Sequence, residues 1–164
     1  MDQAPVQEVD LHEGIESTLT TLAHKLRDVT VARDYDRSLP RIVAHGSELN
    51  QVWTNLLDNA VDALAATPSR ERRISIRTAQ EEDGVVVEIA DNGSGIPPEI
   101  QGRIFEPFFT TKGVGEGTGL GLDTSYRIVV RQHRGDIRVT SRPGDTRFRV
   151  WLPLDAGPSG QTDP

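Results

Sequence analysis

The stretch IFEPFFTTKGVGEGTGLGL, residues 104–122, departs further from ordinary composition than any other window of the chain. It sets Phe105, Phe108 and Phe109 beside Thr110, Thr111 and Lys112, then places glycine at 113, 115, 117, 119 and 121. Alternating glycines allow positive φ and leave no side chain to block a ligand. The residues that follow, 120–131, carry a helical pattern. The window therefore reads as a glycine-rich loop feeding a helix N-terminus, where free N–H groups and the helix dipole favour an anion such as phosphate. A plain surface loop is the alternative, and the lysine and threonines among the glycines argue against it. Gly-x-x-x-x-Gly-Lys-Ser/Thr is absent, and the spacing 117–122 is not Gly-x-Gly-x-x-Gly, so neither a Walker loop nor a dinucleotide fingerprint fits.

Working outward, the segment before this window is read as a hairpin. Residues 73–78 and 85–90 alternate as strands around a break at 81–84. Val85, Val87 and Ile89 share one face, and Asp91 extends it. Asp91-Asn92-Gly93-Ser94-Gly95-Ile96-Pro97 then turns sharply, so a carboxylate stands at a strand end with two glycines behind it. Further back, Ser47 is expected to cap a helix reaching about Ala66. Leu49, Val52, Trp53, Leu56, Leu57, Ala60, Val61 and Leu64 keep its apolar spacing. Asn55, Asn59 and Asp62 share the opposite face. Asparagine is a poor residue inside a helix, so two of them one turn apart point to a task beyond solvation.

The remaining elements are a helix over 11–26, strands at 29–35 and 41–44, a short helix after Pro97-Pro98, and two late strands at 136–141 and 146–152 around Pro143-Gly144. Residues 1–8 read as a tail or linker end, 9–154 as one domain, and 155–164 as a disordered tail. The chain has 164 residues and a net charge of −7, with pI about 5.1. That balance argues against nucleic acid as a partner. There is no cysteine, so disulfide and thiolate chemistry are excluded. No apolar run is long enough to span a membrane and no signal peptide is evident, which fits a cytoplasmic segment without membrane contact.

Taken in order, Asn55…Asn59, Asp91-x-Gly93-x-Gly95, Phe105…Phe109 and Gly115-x-Gly117-x-Gly119-x-Gly121 resemble the ATP-binding catalytic domain of bacterial sensor histidine kinases. The superfamily also holds DNA gyrase, the Hsp90-type chaperones and mismatch-repair ATPases. The wording NLLDNAVDAL, DNGSGIPPEIQGRIFEPFFTTK and GEGTGLGL is most similar to the nitrogen-regulation type, and the likeness runs from about Val9 to Leu154. The resemblance implies an α+β, two-layer sandwich, the Bergerat ATP-binding fold: a mixed, mostly antiparallel sheet covered on one face by about three helices. It also implies ATP and Mg²⁺ as cofactors. By the same likeness Asn59 binds Mg²⁺ and Asn55 helps with metal or phosphate. Asp91 accepts the adenine amino group, and Gly93, Gly95 and Ile96 line the purine. Phe105, with Phe108 and Phe109, anchors the lid base. Thr110, Thr111, Lys112, Gly115, Gly117, Thr118, Gly119, Leu120 and Gly121 surround the phosphates, and Thr146 lies under the adenine. The catalytic set is then Asn55, Asn59 and Lys112.

Two departures matter. Many family members carry Lys or Arg, then an aromatic residue, after the metal-binding Asn; here Asp62 and Ala63 stand there, which shifts weight to Lys112. His133-Arg134-Gly135 replaces the usual His-Gly-Gly. Hydrolytic relatives place a Glu one turn before the metal-binding Asn, as the base that activates water. Asn55 cannot take that proton, so steady hydrolysis is disfavoured and transfer by positioning and charge neutralisation is expected. The acceptor is then a histidine on a separate dimerisation domain, upstream in cis or supplied in trans, and through it a response regulator; the isolated chain is expected to be a monomer. His12-Glu13 only superficially resembles an acceptor box, and His24, His45 and His133 read as structural or surface residues. A serine kinase or switch of the same superfamily, or a nucleotide-dependent binding module without transfer, are the alternatives.

Overall fold

A computed structural model describes residues 6–66, 71–107 and 120–155. In chain order the elements are β1 (Gln7–Val9), α1 (Leu11–Thr21), a 3₁₀ turn (Ala23–Lys25), β2 (Thr30–Asp34), β3 (Ile42–Ala44), α2 (Gly46–Ala65), β4 (Arg73–Glu81), β5 (Gly84–Asp91), α3 (Pro98–Gln101), α4 (Leu120–Tyr126), a π-helical segment (Arg127–Gln132), β6 (Asp136–Arg142) and β7 (Asp145–Pro153). Five strands form one sheet in the order β2-β4-β5-β7-β6. Only β2 and β4 run parallel; the other pairs are antiparallel. β1 and β3 make a separate two-stranded ribbon.

The expected two-layer architecture is present, and local chemistry explains most of it. α1 starts where Asp10 caps it, its carboxylate accepting from Glu13 N at 3.2 Å. Ile15 and Leu19 then turn inward. α2 is amphipathic throughout: Leu49, Val52, Trp53, Leu56, Leu57, Ala60 and Leu64 are buried. Its core stripe meets the β5 side chains Val85, Val87 and Ile89 in one continuous cluster. Truncating a buried Trp such as Trp53 costs about 3–5 kcal/mol. The β4–β5 hairpin closes through Glu82 and Asp83, both at positive φ (46° and 58°). Two such residues make the turn whose twist matches antiparallel strands.

β5 lies in the middle of the sheet and is buried on both faces except at Glu88. Its second face is covered by side chains, not helices. Trp151 donates to Glu81 O at 2.8 Å, Arg147 pairs with Glu88 at 3.2 Å, and Arg149 pairs with Glu81. Long arginine stems cover apolar strand while their heads stay wet.

The boundaries differ from expectation in four places. Gln7 to Val9 pair with Ala44 to Ile42, so the segment read as a tail already contributes a strand. α2 begins at Gly46 with His45 at the cap position and no side-chain cap, and Ser47 falls inside its first turn. The first helix stops at Thr21 and passes into a 3₁₀ turn. The helix expected over 120–131 is α-helical only to Tyr126, after which the chain widens into π geometry, with His133 N donating to Ile128 O five residues back at 3.1 Å.

Candidate functional site

The polar stripe of α2 organises the site. Asn55, Asn59 and Ala63 recur every fourth residue and so lie above one another on one helix face, spanning about 12 Å. At one end Asn55 meets α4, donating from Nδ2 to Gly121 O at 2.9 Å and Ser125 Oγ at 3.2 Å. At the other end Ala63 meets the loop after β5. A Cβ on Gly93 would sit 2.9 Å from Ala63 O and 2.9 Å from Asp91 Oδ1. Asn59 lies between these contacts. Its amide donates to Asn55 O at 2.8 Å, which leaves Oδ1 as its outward acceptor. A neutral oxygen on a rigid helix suits Mg²⁺, a hard cation that keeps waters and takes phosphate oxygens. Among the described residues no group of three or more His, Cys, Asp or Glu is arranged to hold a metal ion.

Asp91 sits at the end of β5, between Ile74 of β4 and Thr146 of β7 in register. It is 7 % exposed. Oδ1 accepts from Gly93 N at 2.8 Å. Burial pushes the carboxyl up from 3.8 to about 6; the Gly93 N–H opposes that rise and the nearby Asp145 carboxylate adds to it.

The loop that follows Asp91 is tied down residue by residue. Ile96 N donates to Ser141 Oγ at 2.8 Å, and Ser141 Oγ and Thr146 Oγ1 are 2.6 Å apart. Gln101 Nε2 bridges Ile96 O at 2.7 Å and Ser141 O at 3.1 Å. Gly144 N donates to Gly93 O at 2.8 Å. Gly95 has φ +91°, and a Cβ there would lie 2.9 Å from the Arg142 carbonyl. On its outer side Asn92 bonds Arg73 N at 2.8 Å and Glu71 O at 2.9 Å.

Several sequence expectations change in meaning here. The missing side chains of Gly93 and Gly95 are required by protein backbone, namely Ala63 and Arg142, before any purine is considered. Gly121 is likewise open toward Asn55, whose Cγ a Cβ would approach to 3.0 Å. Thr146 is buried and does reach the Asp91 end. Phe105 packs edge-on against Phe148 at 6.2 Å and tilted against Tyr126 at 5.9 Å, which anchors the chain entering the glycine window. Leu120 opens α4. Phe108, Phe109, Thr110, Thr111, Lys112, Gly115, Gly117, Thr118 and Gly119 lie outside the described residues.

Ser125, Ser141, Gln101 and Asn92 were missed by sequence reasoning. A lone Ser or Gln carries no periodic signal, and only the fold brings them to the site.

His12 and His133 are committed elsewhere. His12 stacks on Tyr35 at 4.3 Å and bonds Thr78 Oγ1 at 2.8 Å. Tyr35 in turn bonds Glu16, and burial, with that carboxylate beside it, holds its hydroxyl well above the usual phenol range. His133 is fully buried; Nε2 accepts from His45 N at 3.1 Å and Nδ1 donates to Ile128 O at 2.8 Å. Accepting at Nε2 requires the neutral ring, and burial lowers its pKa accordingly.

The Asp91 loop meets the Ala63 end of the α2 stripe and Asn59 lies one turn before it. The family model described as histidine kinase-, DNA gyrase B-, and HSP90-like ATPase matches residues 44–156. The chain belongs to this ATP-binding family. Among relatives, it is 41% identical over 153 residues to the signal transduction histidine-protein kinase AtoS of Escherichia coli, covering 91% of this chain and 24% of AtoS. It is 38% identical over 136 residues to the sensory histidine kinase/phosphatase NtrB of Vibrio alginolyticus, covering 78% of this chain and 38% of NtrB. The chain thus spans well under half the length of these curated relatives. The solved catalytic domain of histidine kinase ThkA superposes with TM-score 0.81 at 28% identity, covering 93% of this chain and 97% of that one. ThkA has also been solved in complex with response regulator protein TrrA, where the likeness covers 92% of this chain and 42% of that one at TM-score 0.76 and 27% identity. The fold and the family of this histidine-kinase-like ATPase domain agree with the expectation drawn from its motifs.

Proposed function

We propose that this chain is the Mg-ATP-binding catalytic domain of a two-component histidine kinase, passing the ATP γ-phosphate to a histidine on a separate dimerisation domain. The observation that carries it is the α2 stripe: Asn55 and Asn59 one turn apart, running into the Asp91 loop, with an amide where a hydrolytic site needs an acid.

In this reading Asp91 Oδ2 accepts a hydrogen bond from the adenine amino group while Gly93 N–H holds Oδ1. A base lacking that donor leaves a buried carboxylate unpaired, which makes the position selective. Asn59 Oδ1 would hold Mg²⁺, which would supply charge neutralisation at the phosphates. Lys112, Thr118 and the amides of 115–121 fix the phosphate chain. An imidazole nitrogen of the acceptor attacks the γ-phosphorus, the bond to the β-bridging oxygen breaks, and ADP leaves. No proton need be abstracted from a neutral imidazole, so positioning suffices and no base is needed at position 55.

The phosphorylated histidine would pass its phosphoryl group to a response regulator, as the names of the relatives and the ThkA–TrrA complex suggest. No helix among the described residues is long and apolar enough to cross a membrane. We place the segment in the cytoplasm, where ATP is available, and take the isolated chain to be a monomer.

The test is to mix the purified chain with γ-labelled ATP and a nitrogen-regulation-type acceptor domain. Acid-labile, alkali-stable label on the acceptor is expected. Acid-stable label would instead mark a serine kinase, no label with intact ATP binding would mark a binding module, and steady phosphate release by the chain alone would mark an ATPase.

A further inference from the structure

We infer that Asn55 is a positioning residue whose side-chain amide holds α4 against α2, not a ligand of metal or phosphate. This rests on the nucleotide-site reading above.

The donors of Asn55 are already committed. Its two Nδ2 hydrogens meet Gly121 O and Ser125 Oγ, at 2.9 and 3.2 Å. Its Oδ1 accepts from Gln51 Nε2 at 2.9 Å. An amide has two donors and an oxygen with two lone pairs, so both donors go to one helix and Gln51 of its own helix takes one site on the oxygen.

The partner surface is shaped for this contact. Ser125 is fully buried. A side chain at Gly121 would come within 3.0 Å of Asn55 Cγ. A glycine there lets Asn55 keep this position, whereas a larger residue would press on its side chain. At the far end of the same helix His133 ties the π-helical segment to the start of α2, through Ile128 O and His45 N at 2.8 and 3.1 Å. The helix that follows the glycine window is thus fastened at both ends, and Asn55 is the fastening nearer the phosphates.

Chemistry also explains why the residue is Asn. Aspartate would present two acceptors to the Gly121 carbonyl and repel it. The amide does two things: it provides no base, and it supplies the donors that seat α4.

The test uses Asn55→Asp and, in case that variant fails to fold, Ser125→Ala, which removes one end of the same contact. Hydrogen exchange of the α4 amides is read in the nucleotide-free chain, so the result stands whether or not the nucleotide reading survives. Exchange across Leu122–Tyr126 should accelerate about tenfold in Asn55→Asp and about threefold in Ser125→Ala, the scale of losing one or two net hydrogen bonds. Affinities for ATP, ADP and adenosine are then measured with Mg²⁺ and with EDTA. ATP and ADP should weaken by a similar factor under both conditions, while adenosine, held at the Asp91 end, should be unchanged. An ATP loss that disappears in EDTA would make Asn55 a metal ligand and overturn the inference. Unaltered α4 exchange in both variants, or equal weakening of all three ligands, would also overturn it. Wild-type chain that binds none of the three would sink the nucleotide reading while the exchange data still judge the contact.

Discussion

The two ends of the α2 stripe are held together by different kinds of bond. At the Ala63 end, Asp91 is placed by strand register between Ile74 and Thr146, and its loop by main-chain donors at Gly93, Ile96 and Gly144. Moving Asp91 means slipping a strand, which would also turn Val85, Val87 and Ile89 out of the core. At the Asn55 end, α4 places Leu122 in the core, and its polar link is made by the side chains of Asn55 and Ser125 and the Gly121 carbonyl. Such bonds contribute about 1 kcal/mol each. The Asp91 end is therefore built to open only with the strands that hold it, and the polar link at the Asn55 end at a smaller cost. The lesson is that one helix face can carry a rigid attachment at one end and an adjustable one at the other.

The largest way to break this contrast is at Asp91. Asp91→Asn keeps an acceptor for Gly93 N but offers a donor to the adenine amino group, so ATP affinity should fall about 100-fold or more. The same change removes a buried charge. A shift of the carboxyl from 3.8 to about 6 corresponds to about 3 kcal/mol. Because the folded pKa is raised, the penalty is present above pH 6. The nucleotide-free variant should thus be more stable than wild type at pH 8, by about 1–3 kcal/mol. Urea titration at pH 8 with calorimetry of ATP binding checks both; a variant that loses ATP and stability together would contradict the burial argument.

Gly95→Ala comes next. At φ +91° and 2.9 Å from the Arg142 carbonyl, an added methyl should cost about 2–3 kcal/mol and weaken adenosine as much as ATP. Equal stability would show that the loop has slack, and the contrast between the two ends would shrink.

A pH series sharpens the comparison. Adenine binding favours ionised Asp91, so ATP affinity should be flat above pH 6 and fall by up to tenfold per unit below it. His133 acts on folding in the opposite sense to Asp91. Its folded pKa lies below the ordinary 6.5, so the unfolded state binds more protons and stability should decline as pH drops below 6.5. Measuring unfolding in the Asp91→Asn background isolates this term; a stability that rises as pH falls from 7 to 5 there would refute the neutral, doubly bonded ring.

The smallest effect is expected at Arg134, which holds φ +58° in the turn after the π-helical segment. Arg134→Gly should relieve strain and stabilise by about 0.5–1 kcal/mol, seen as a higher Tm with unchanged ATP affinity. A change in affinity would mean that this turn couples to the site.

Much of this was readable in one dimension. The 3.6-residue spacing of Leu49 to Leu64 located the long helix and its buried face, and the same spacing put Asn55 and Asn59 together. Alternation in 85–89 placed Asp91 on an inward face at a strand end. These features are local consequences of backbone period and solvent, so sequence alone determined them. Helix ends were less legible, because His45 caps α2 only through its extended backbone and the widening after Tyr126 has no residue code. What only the tertiary structure decided was partnership. Gly93 and Gly95 are glycine because Ala63 and Arg142 pass close by. Gln101 and Ser141 matter because β6 runs beside the Asp91 loop, and Asn55 spends its amide on a helix that begins 65 residues later, at Leu120. A hydrogen bond is set by distance and direction in space, and spacing along the chain carries neither.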